Sequence, residues 1–102
     1  MTTPFQDRVY TLLQKIPRGK VTTYKILAEQ LNMNGFQAIG TACKMNPFAP
    51  KIPCHRVIHS DGSLGGYQGR MNHPEKIRLL AEENIPIKDS RIINFKKYLY
   101  KF

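Results

Sequence analysis

Apolar residues at Phe5, Val9, Leu12, Leu13 and Ile16 recur at the three- and four-residue spacing of one helical face, with polar and charged residues between them. Thr3-Pro4-Phe5-Gln6 supplies the start of that helix: a Thr cap, Pro at the first helical position, and Gln to close a capping box. Pro17-Arg18-Gly19 ends the pattern, so a helix is predicted over residues 4–15. Lys20-Val21-Thr22 is short and β-prone, and Thr22 or Thr23 caps a second helix carrying Ile26, Leu27, Ala28 and Leu31. Asn32-Met33-Asn34-Gly35 then turns the chain. A third helix begins near Phe36, burying Phe36, Ile39 and Cys43 and exposing Gln37, Thr41 and Lys44; it must stop at Asn46, because Pro47 disfavours the helical conformation in the residue before it. Two short helices about a Gly-containing turn predict a helix-turn-helix.

Pro50 and Pro53 exclude regular structure from residues 48–53. Beyond them, Val57 to His59 and Leu64 to Tyr67 flank the turn Ser60-Asp61-Gly62-Ser63 as a small hairpin would, a candidate wing. Asn72-His73-Pro74-Glu75 opens a last helix with Ile77, Leu80 and Ala81 inward, closing at Asn84-Ile85-Pro86. The tail, residues 92–102, mixes apolar and basic residues and is expected to pack back on the domain. The predicted fold class is mostly α with a small β-hairpin: a winged helix-turn-helix-like single domain over residues 1–102, with no internal repeat.

Length and charge narrow the function. A chain of 102 residues has room for one modest core. Lys plus Arg number 16 against 7 acidic residues, a net charge of +9, which favours a polyanionic partner and salt-dependent binding; a charge kept for solubility is the competing reading. No apolar run has the length of a membrane span, and residues 1–6 lack the layout of a secretory leader, so no membrane is expected and a cytoplasmic location is, nucleoid-associated or nuclear where a nucleus exists. In that setting the two cysteines, Cys43 and Cys54, stay reduced.

The string Pro53-Cys54-His55-Arg56-Val57 sets a thiol, an imidazole and a guanidinium side by side. Neighbouring cations lower a thiol pKa, and a His within reach, directly or through water, takes its proton and leaves a nucleophilic thiolate. Adjacent residues of a strand face opposite ways, so Cys54 and His55 cooperate only if the backbone bends there, as the prolines permit. A structural Cys beside a surface His remains the competing reading. A metal is not expected: Cys43, Cys54, His55, His59 and His73 show no paired spacing of the zinc-finger kind.

Three strings in order, Gly19-Lys20-Val21-Thr22-Thr23-Tyr24-Lys25-Ile26-Leu27-Ala28, then Ala38-Ile39-Gly40 with Asn46-Pro47, then Pro53-Cys54-His55-Arg56-Val57-Ile58, resemble the active-site domain of the methylated-DNA-protein-cysteine methyltransferases, the alkylguanine-DNA alkyltransferases. The resemblance covers about residues 5–84. It implies a monomer that binds double-stranded DNA containing alkylated guanine through the minor groove, flips the damaged base, and moves its alkyl group irreversibly onto Cys54 in a single turnover without a cofactor. It further implies that Cys54 is the nucleophile, His55 its base through water, and Glu83, by register over the adjacent Glu82, the carboxylate that orients His55. Tyr24 would donate a hydrogen bond or proton to the guanine, and Asn46 would secure the turn before the site. Gln37, Ala38, Gly40, Thr41, Lys44 and Arg56 would meet DNA, with Ala42 letting the backbone come close. Tyr67 and Gln68 would wall the alkyl pocket, as would Pro50 and Lys76.

Two departures carry consequences. Gln37 stands where many members have an Arg that fills the gap left by the flipped base, and the family's usual N-terminal domain is not matched. The basic aromatic tail, Phe95-Lys96-Lys97-Tyr98-Leu99-Tyr100-Lys101-Phe102, is similar to that of the alkyltransferase-like proteins, which bind lesions without repairing them and typically replace the reactive Cys. This chain keeps Cys54. Transfer is therefore the expected function and lesion recognition its alternative. A DNA-binding domain with an inert Cys54 is a third possibility, and a Cys-His esterase, for which no Gly-rich nucleophile turn is present, a fourth.

Overall fold

Thr3 forms a complete capping box at the start of α1 (Pro4–Leu13): its Oγ1 accepts from the Gln6 N–H at 3.1 Å while the Gln6 side chain accepts from the Thr3 N–H at 3.0 Å. The computed structural model describes residues 2–102; Met1, first residue of the stretch read for a leader, lies outside them. Helix α1 ends before Lys15 because its last turn tightens, with Lys15 N–H donating to Leu12 O and Ile16 N–H to Leu13 O. Ile16 is buried all the same.

Strand β1 (Thr22–Thr23) leads directly into α2 (Tyr24–Gln30), where Thr23 Oγ1 caps the Ile26 N–H at 3.0 Å. Residues 31–36 turn the chain into α3 (Gln37–Lys44), whose inner side is Ile39, Ala42 and Cys43. The Tyr10 hydroxyl donates to Ala42 O at 2.8 Å and ties α1 to α3. Phe36 does not join the core, contrary to the helical stripe predicted for it. It precedes the first helical turn with a φ of −127°, which takes its side chain off the register of Ile39 and Cys43; it is 44% exposed and stacks on Tyr24 at 5.9 Å.

The hairpin predicted across residues 57–67 is also not formed. Strand β2 (Val57–Ile58) pairs instead in parallel with β1, Thr22 opposite Val57 and Thr23 opposite Ile58. Val57 and Ile58 are both fully buried, the pattern of a strand covered on two faces rather than the alternation of a half-exposed hairpin. The local turn at residues 60–63 does form, closed by His59 N–H to Ser63 O at 2.9 Å. The hairpin itself lies further on: β3 (Gly66–Tyr67) pairs antiparallel with β4 (Arg70–Met71). Gln68 and Gly69 between them have φ of +49° and +82°, the two positive values that a tight two-residue hairpin loop requires.

Helix α4 (Pro74–Glu82) begins at the predicted signal, with His73 Nδ1 accepting from the Glu75 N–H at 3.1 Å. Its buried side is Lys76, Leu79 and Leu80, so Ala81, read as inward, is exposed. A second hairpin, β5 (Ile87–Lys88) with β6 (Arg91–Ile92), precedes the tail. The tail packs back as expected: Val21 N–H donates to Tyr98 O at 2.8 Å and Tyr100 N–H to Val21 O at 2.6 Å. The apolar interior has two parts. The larger joins α1, α2 and α3 and includes Cys54; the smaller gathers Val21, Ile58, Leu64, Leu80, Ile85 and Ile92 between α4 and the tail. No helix among the described residues is long and apolar enough to cross a membrane.

Candidate active site around a buried thiol

Backbone bonds from Cys54 N–H to Ile52 O (2.9 Å) and from Arg56 N–H to Pro53 O (3.0 Å) wind residues Cys54–Arg56 into a single 3-10 turn just ahead of β2. That turn supplies the predicted bend. Cys54 and His55, which a straight strand would send to opposite faces, are both buried, each 2% exposed. Asn46 holds the preceding loop: its Nδ2 donates to Ile52 O at 2.8 Å and its Oδ1 accepts from the Phe48 N–H at 2.9 Å.

Glu83, at the C-terminal cap of α4, is the centre of a buried polar cluster. Its Oε2 lies 2.7 Å from His55 Nε2, and Arg56 donates to it through Nε (3.0 and 3.1 Å) and Nη2 (3.0 Å). The Gly19 N–H donates to Oε1 at 2.9 Å. Arg56 is completed by Nη1 to Ile16 O at 2.8 Å. Glu82, the sequence competitor, is on the surface and pairs with Arg78. Burial works to raise the Glu83 pKa, but the bonds from Arg56, Gly19 and His55 outweigh it and hold the carboxyl below its usual range. Burial lowers the His55 pKa, with Arg56 and Lys76 acting the same way against the pull of Glu83, so the imidazole is neutral at pH 7. With a carboxylate at Nε2, the ring proton belongs there and Nδ1 is left as the acceptor. Nδ1 is buried and has no hydrogen-bond partner among the described residues.

Burial pushes the Cys54 thiol up, opposed by the Asn46 amide and the Lys76 ammonium. Lys76 is 1% exposed, and its Nζ donates to Val57 O (2.8 Å), Leu64 O (2.5 Å) and Gly66 O (3.1 Å), joining β2 to the segment entering β3. Burial brings its pKa down to about 8. Periodicity reads a Lys as a solvent-facing residue, so only the resemblance drew attention to it.

Cys54 opens onto a cavity of about 410 Å³, the size of a small-molecule site. Of the predicted site residues, Tyr24, Gln37, Gly40, Thr41, Lys44, Tyr67 and Gln68 line it as well. His55, Asn46 and Glu83 are not among the residues that line it. Pro50, Lys76 and Arg56 are not part of the lining either: Pro50 is exposed on the loop 47–53, Lys76 is spent on backbone carbonyls, and Arg56 on Glu83. Arg56, expected at the DNA, is thereby taken up inside the domain. Cys43, Phe36, His59, Arg70 and Met71 line the cavity without having been singled out as its wall, the last two because the hairpin was placed one segment too early.

Tyr24 is 7% exposed, set between Phe36 and His59, whose ring lies 5.3 Å away; burial, with Cys43 and Cys54 nearby, holds its phenol protonated far above neutral pH. Burial and Cys54 likewise push the Tyr67 phenol up to about 12. Cys43 is pushed up to about 12, chiefly by burial. The outer side of α3 presents Gln37, Ala38, Thr41 and Lys44 to solvent. At Gly40 a Cβ would meet nothing within 4 Å, so the backbone there is open to close approach.

Fold and cavity together define a small helical domain with a buried thiol opening onto a ligand-sized cavity beside an exposed helix. The chain belongs to the 6-O-methylguanine DNA methyltransferase family, matching the model of its DNA binding domain over residues 4–85. It is 45% identical over 84 residues to the methylated-DNA–protein-cysteine methyltransferase of Candida glabrata, covering 81% of this chain and 40% of that protein. It spans about half or less of the length of the curated relatives it matches first. Among solved structures, that of Mycobacterium tuberculosis OGT in complex with DNA matches with a TM-score of 0.73 at 40% identity, covering 81% of this chain and 51% of that one. S. pombe Atl1, in complex with damaged DNA containing O6-carboxymethylguanine, matches with a TM-score of 0.85 at 28% identity, over 100% of both chains.

Proposed function

We propose that this chain, as a monomer, takes an alkyl group from the oxygen of an alkylated guanine in double-stranded DNA onto Cys54, once per molecule and without a cofactor. The observation that carries this reading is that the thiol lining the cavity is followed in the chain by an imidazole fixed at 2.7 Å on a buried carboxylate. Neutral His55, with its proton on Nε2, takes the thiol proton at Nδ1 through a bridging water, and Glu83 stabilises the imidazolium that results. The thiolate attacks the alkyl carbon; the C–S bond forms as the C–O bond breaks, and the electron pair passes to the guanine, whose oxygen becomes a carbonyl. Tyr24, held protonated, donates a hydrogen bond to the guanine ring as it takes up that charge.

In this reading α3 enters the minor groove, with Ala38, Gly40, Thr41 and Lys44 along the backbone and Gln37 at the gap left by the flipped nucleotide. Tyr67 and Gln68 wall the pocket that receives it. Asn46 acts by fixing the loop before Cys54.

Lesion binding without transfer is the second reading, favoured by the match over both full chains to S. pombe Atl1 bound to damaged DNA. The two separate in one experiment. The chain is incubated with a duplex holding a single methylated guanine, digested, and searched by mass spectrometry for a methyl group on Cys54. A modified Cys54 that is absent with unmethylated duplex is the expected result. Tight, lesion-dependent binding that leaves Cys54 unmodified overturns transfer in favour of recognition.

A further inference from the structure

Both thiols of the chain open onto one cavity. Cys43, in the last turn of α3, and Cys54, at the head of the 3-10 turn, line it together, and both are free. Asn46 joins them: its N–H donates to Cys43 O at 3.3 Å, while its side-chain amide acts on the Cys54 thiol. Charge on one sulfur is felt at the other, since a Cys54 thiolate adds to the burial that holds Cys43 protonated. Alkyl transfer as proposed uses Cys54 alone and leaves Cys43 without a part. The sequence has no third cysteine, and Cys43 and Cys54 are only 6% and 2% exposed, too enclosed to meet a thiol of another molecule. The partner open to each is therefore the other.

We infer that Cys43 and Cys54 are joined as an intramolecular disulfide when a peroxide enters the cavity, a reversible modification that withdraws the nucleophile and protects it. The two sulfurs have different roles. Asn46 and Lys76 oppose the rise of the Cys54 pKa and His55 is the base proposed for its proton, whereas Cys43 is pushed up to about 12. Cys54 is therefore the sulfur oxidised first, and Cys43 the one that resolves it. The Cys54 thiolate attacks one oxygen of hydrogen peroxide; the O–O bond breaks, and the hydroxide released takes up the proton that the thiol gave and leaves as water. The Cys43 sulfur attacks the sulfenic acid so formed, the S–O bond breaks, and the departing hydroxide takes the Cys43 proton as a second water. A cavity with one thiol would instead leave the sulfenic acid open to further peroxide and to sulfinic acid, from which the nucleophile does not return.

The test treats the reduced chain with hydrogen peroxide, unfolds it in urea with iodoacetamide to block the remaining thiols, digests it without reductant and maps both cysteines by mass spectrometry. The expected product is a chain lighter by two hydrogens that yields a linked Cys43–Cys54 peptide, which dithiothreitol separates. Alkyl transfer to a methylated duplex should be lost in proportion to the linked fraction and regained on reduction. In Cys43→Ser the same dose is expected to drive Cys54 to sulfinic acid, beyond recovery by dithiothreitol. A wild-type chain in which Cys54 becomes sulfinic acid while Cys43 stays free to alkylate, in which both thiols survive the peroxide, or in which the disulfide joins two molecules, overturns the inference, whether or not Cys43→Ser folds. Equal yields of sulfinic acid in the two chains overturn it as well. The link is read by mass and not by activity, so a chain that forms it yet never takes up an alkyl group overturns the proposed function and leaves this inference standing.

Discussion

Glu83 Oε2 lies 2.7 Å from His55 Nε2 across 28 residues of chain, and the same carboxylate is held in place by Arg56 and by the Gly19 N–H. A carboxylate so fully bonded cannot swing away from the imidazole, so the tautomer of His55 is set by the fold rather than by chance encounter.

Replacing that carboxylate by an amide tests the relay. Glu83→Gln removes the charge that stabilises an imidazolium and leaves Arg56, 15% exposed at its side chain, without its ion partner. The rate of alkyl transfer to Cys54 is expected to fall about 100-fold or more, and unfolding free energy by about 3 kcal/mol, the scale of breaking a largely buried ion pair. Single-turnover kinetics with a methylated duplex, on protein shown to be folded, measures the first; urea denaturation measures the second. A transfer rate that stays at the wild-type value removes Glu83 from the relay.

Acid should unfold this domain in two stages. His55 and Glu83 both have folded pKa values below those of the unfolded chain, so each contributes stability that is complete above its unfolded value and lost as pH falls through its folded value. The first loss starts below the reference histidine value of 6.5 and the second below the reference carboxyl value of 4.5. Urea denaturation from pH 8 to about 2 is expected to show a plateau, a first decline that starts below 6.5 and a second that starts below 4.5. His55→Gln should flatten the upper part of the decline relative to wild type and Glu83→Gln the lower part. Parallel curves for wild type and both variants would dissociate the two groups from acid lability.

How much of this was legible in the sequence depends on range. The starts of α1, α2 and α4 are fixed by neighbours, Thr3 with Gln6, Thr23 with the Ile26 N–H, and His73 with Pro74, and all were read correctly. The misplaced hairpin is the converse case: Ser60-Asp61-Gly62-Ser63 does turn, but β2 is claimed by β1, a parallel partner far upstream that no local pattern reveals. Arg56 and Lys76 were assigned to the DNA and to the pocket wall for the same reason. Glu83 and the three carbonyls that occupy them become neighbours only in the folded chain. The Cys54-His55 bend was anticipated as a condition on the prolines, whereas the pairing of His55 with Glu83 over Glu82 needed the family register.

Lys76 is expected to matter for stability despite never touching solvent or the cavity. Its burial cost is offset by three backbone carbonyls, and Lys76→Met would leave those carbonyls without a donor in an apolar interior. Thermal and urea denaturation should show a loss of roughly 2–4 kcal/mol. Because the ammonium also opposes the rise of the Cys54 pKa, the same variant should react more slowly at Cys54 with iodoacetamide near neutral pH, its profile displaced to higher pH. Unchanged stability together with unchanged thiol reactivity would show that the three bonds are dispensable.

Position 37 decides how the helix α3 uses its first exposed residue. Gln37 is solvent-exposed and at the rim of the cavity, where a side chain on a docked helix can reach either a phosphate or the gap left by an extruded base. An arginine adds one cation at that point, so for Gln37→Arg the slope of log affinity against log salt is expected to steepen by about one between roughly 50 and 200 mM salt. That much would follow from any new phosphate contact and would tighten damaged and undamaged duplex alike. A guanidinium that enters the gap does more, because it donates to the orphaned partner base and stabilises only the flipped state. The ratio of affinities for methylated over unmethylated duplex should therefore rise in Gln37→Arg and fall in Gln37→Ala, as read by fluorescence anisotropy at each salt concentration. A steeper slope with an unchanged ratio would put position 37 on the phosphates and leave the gap to another residue of α3.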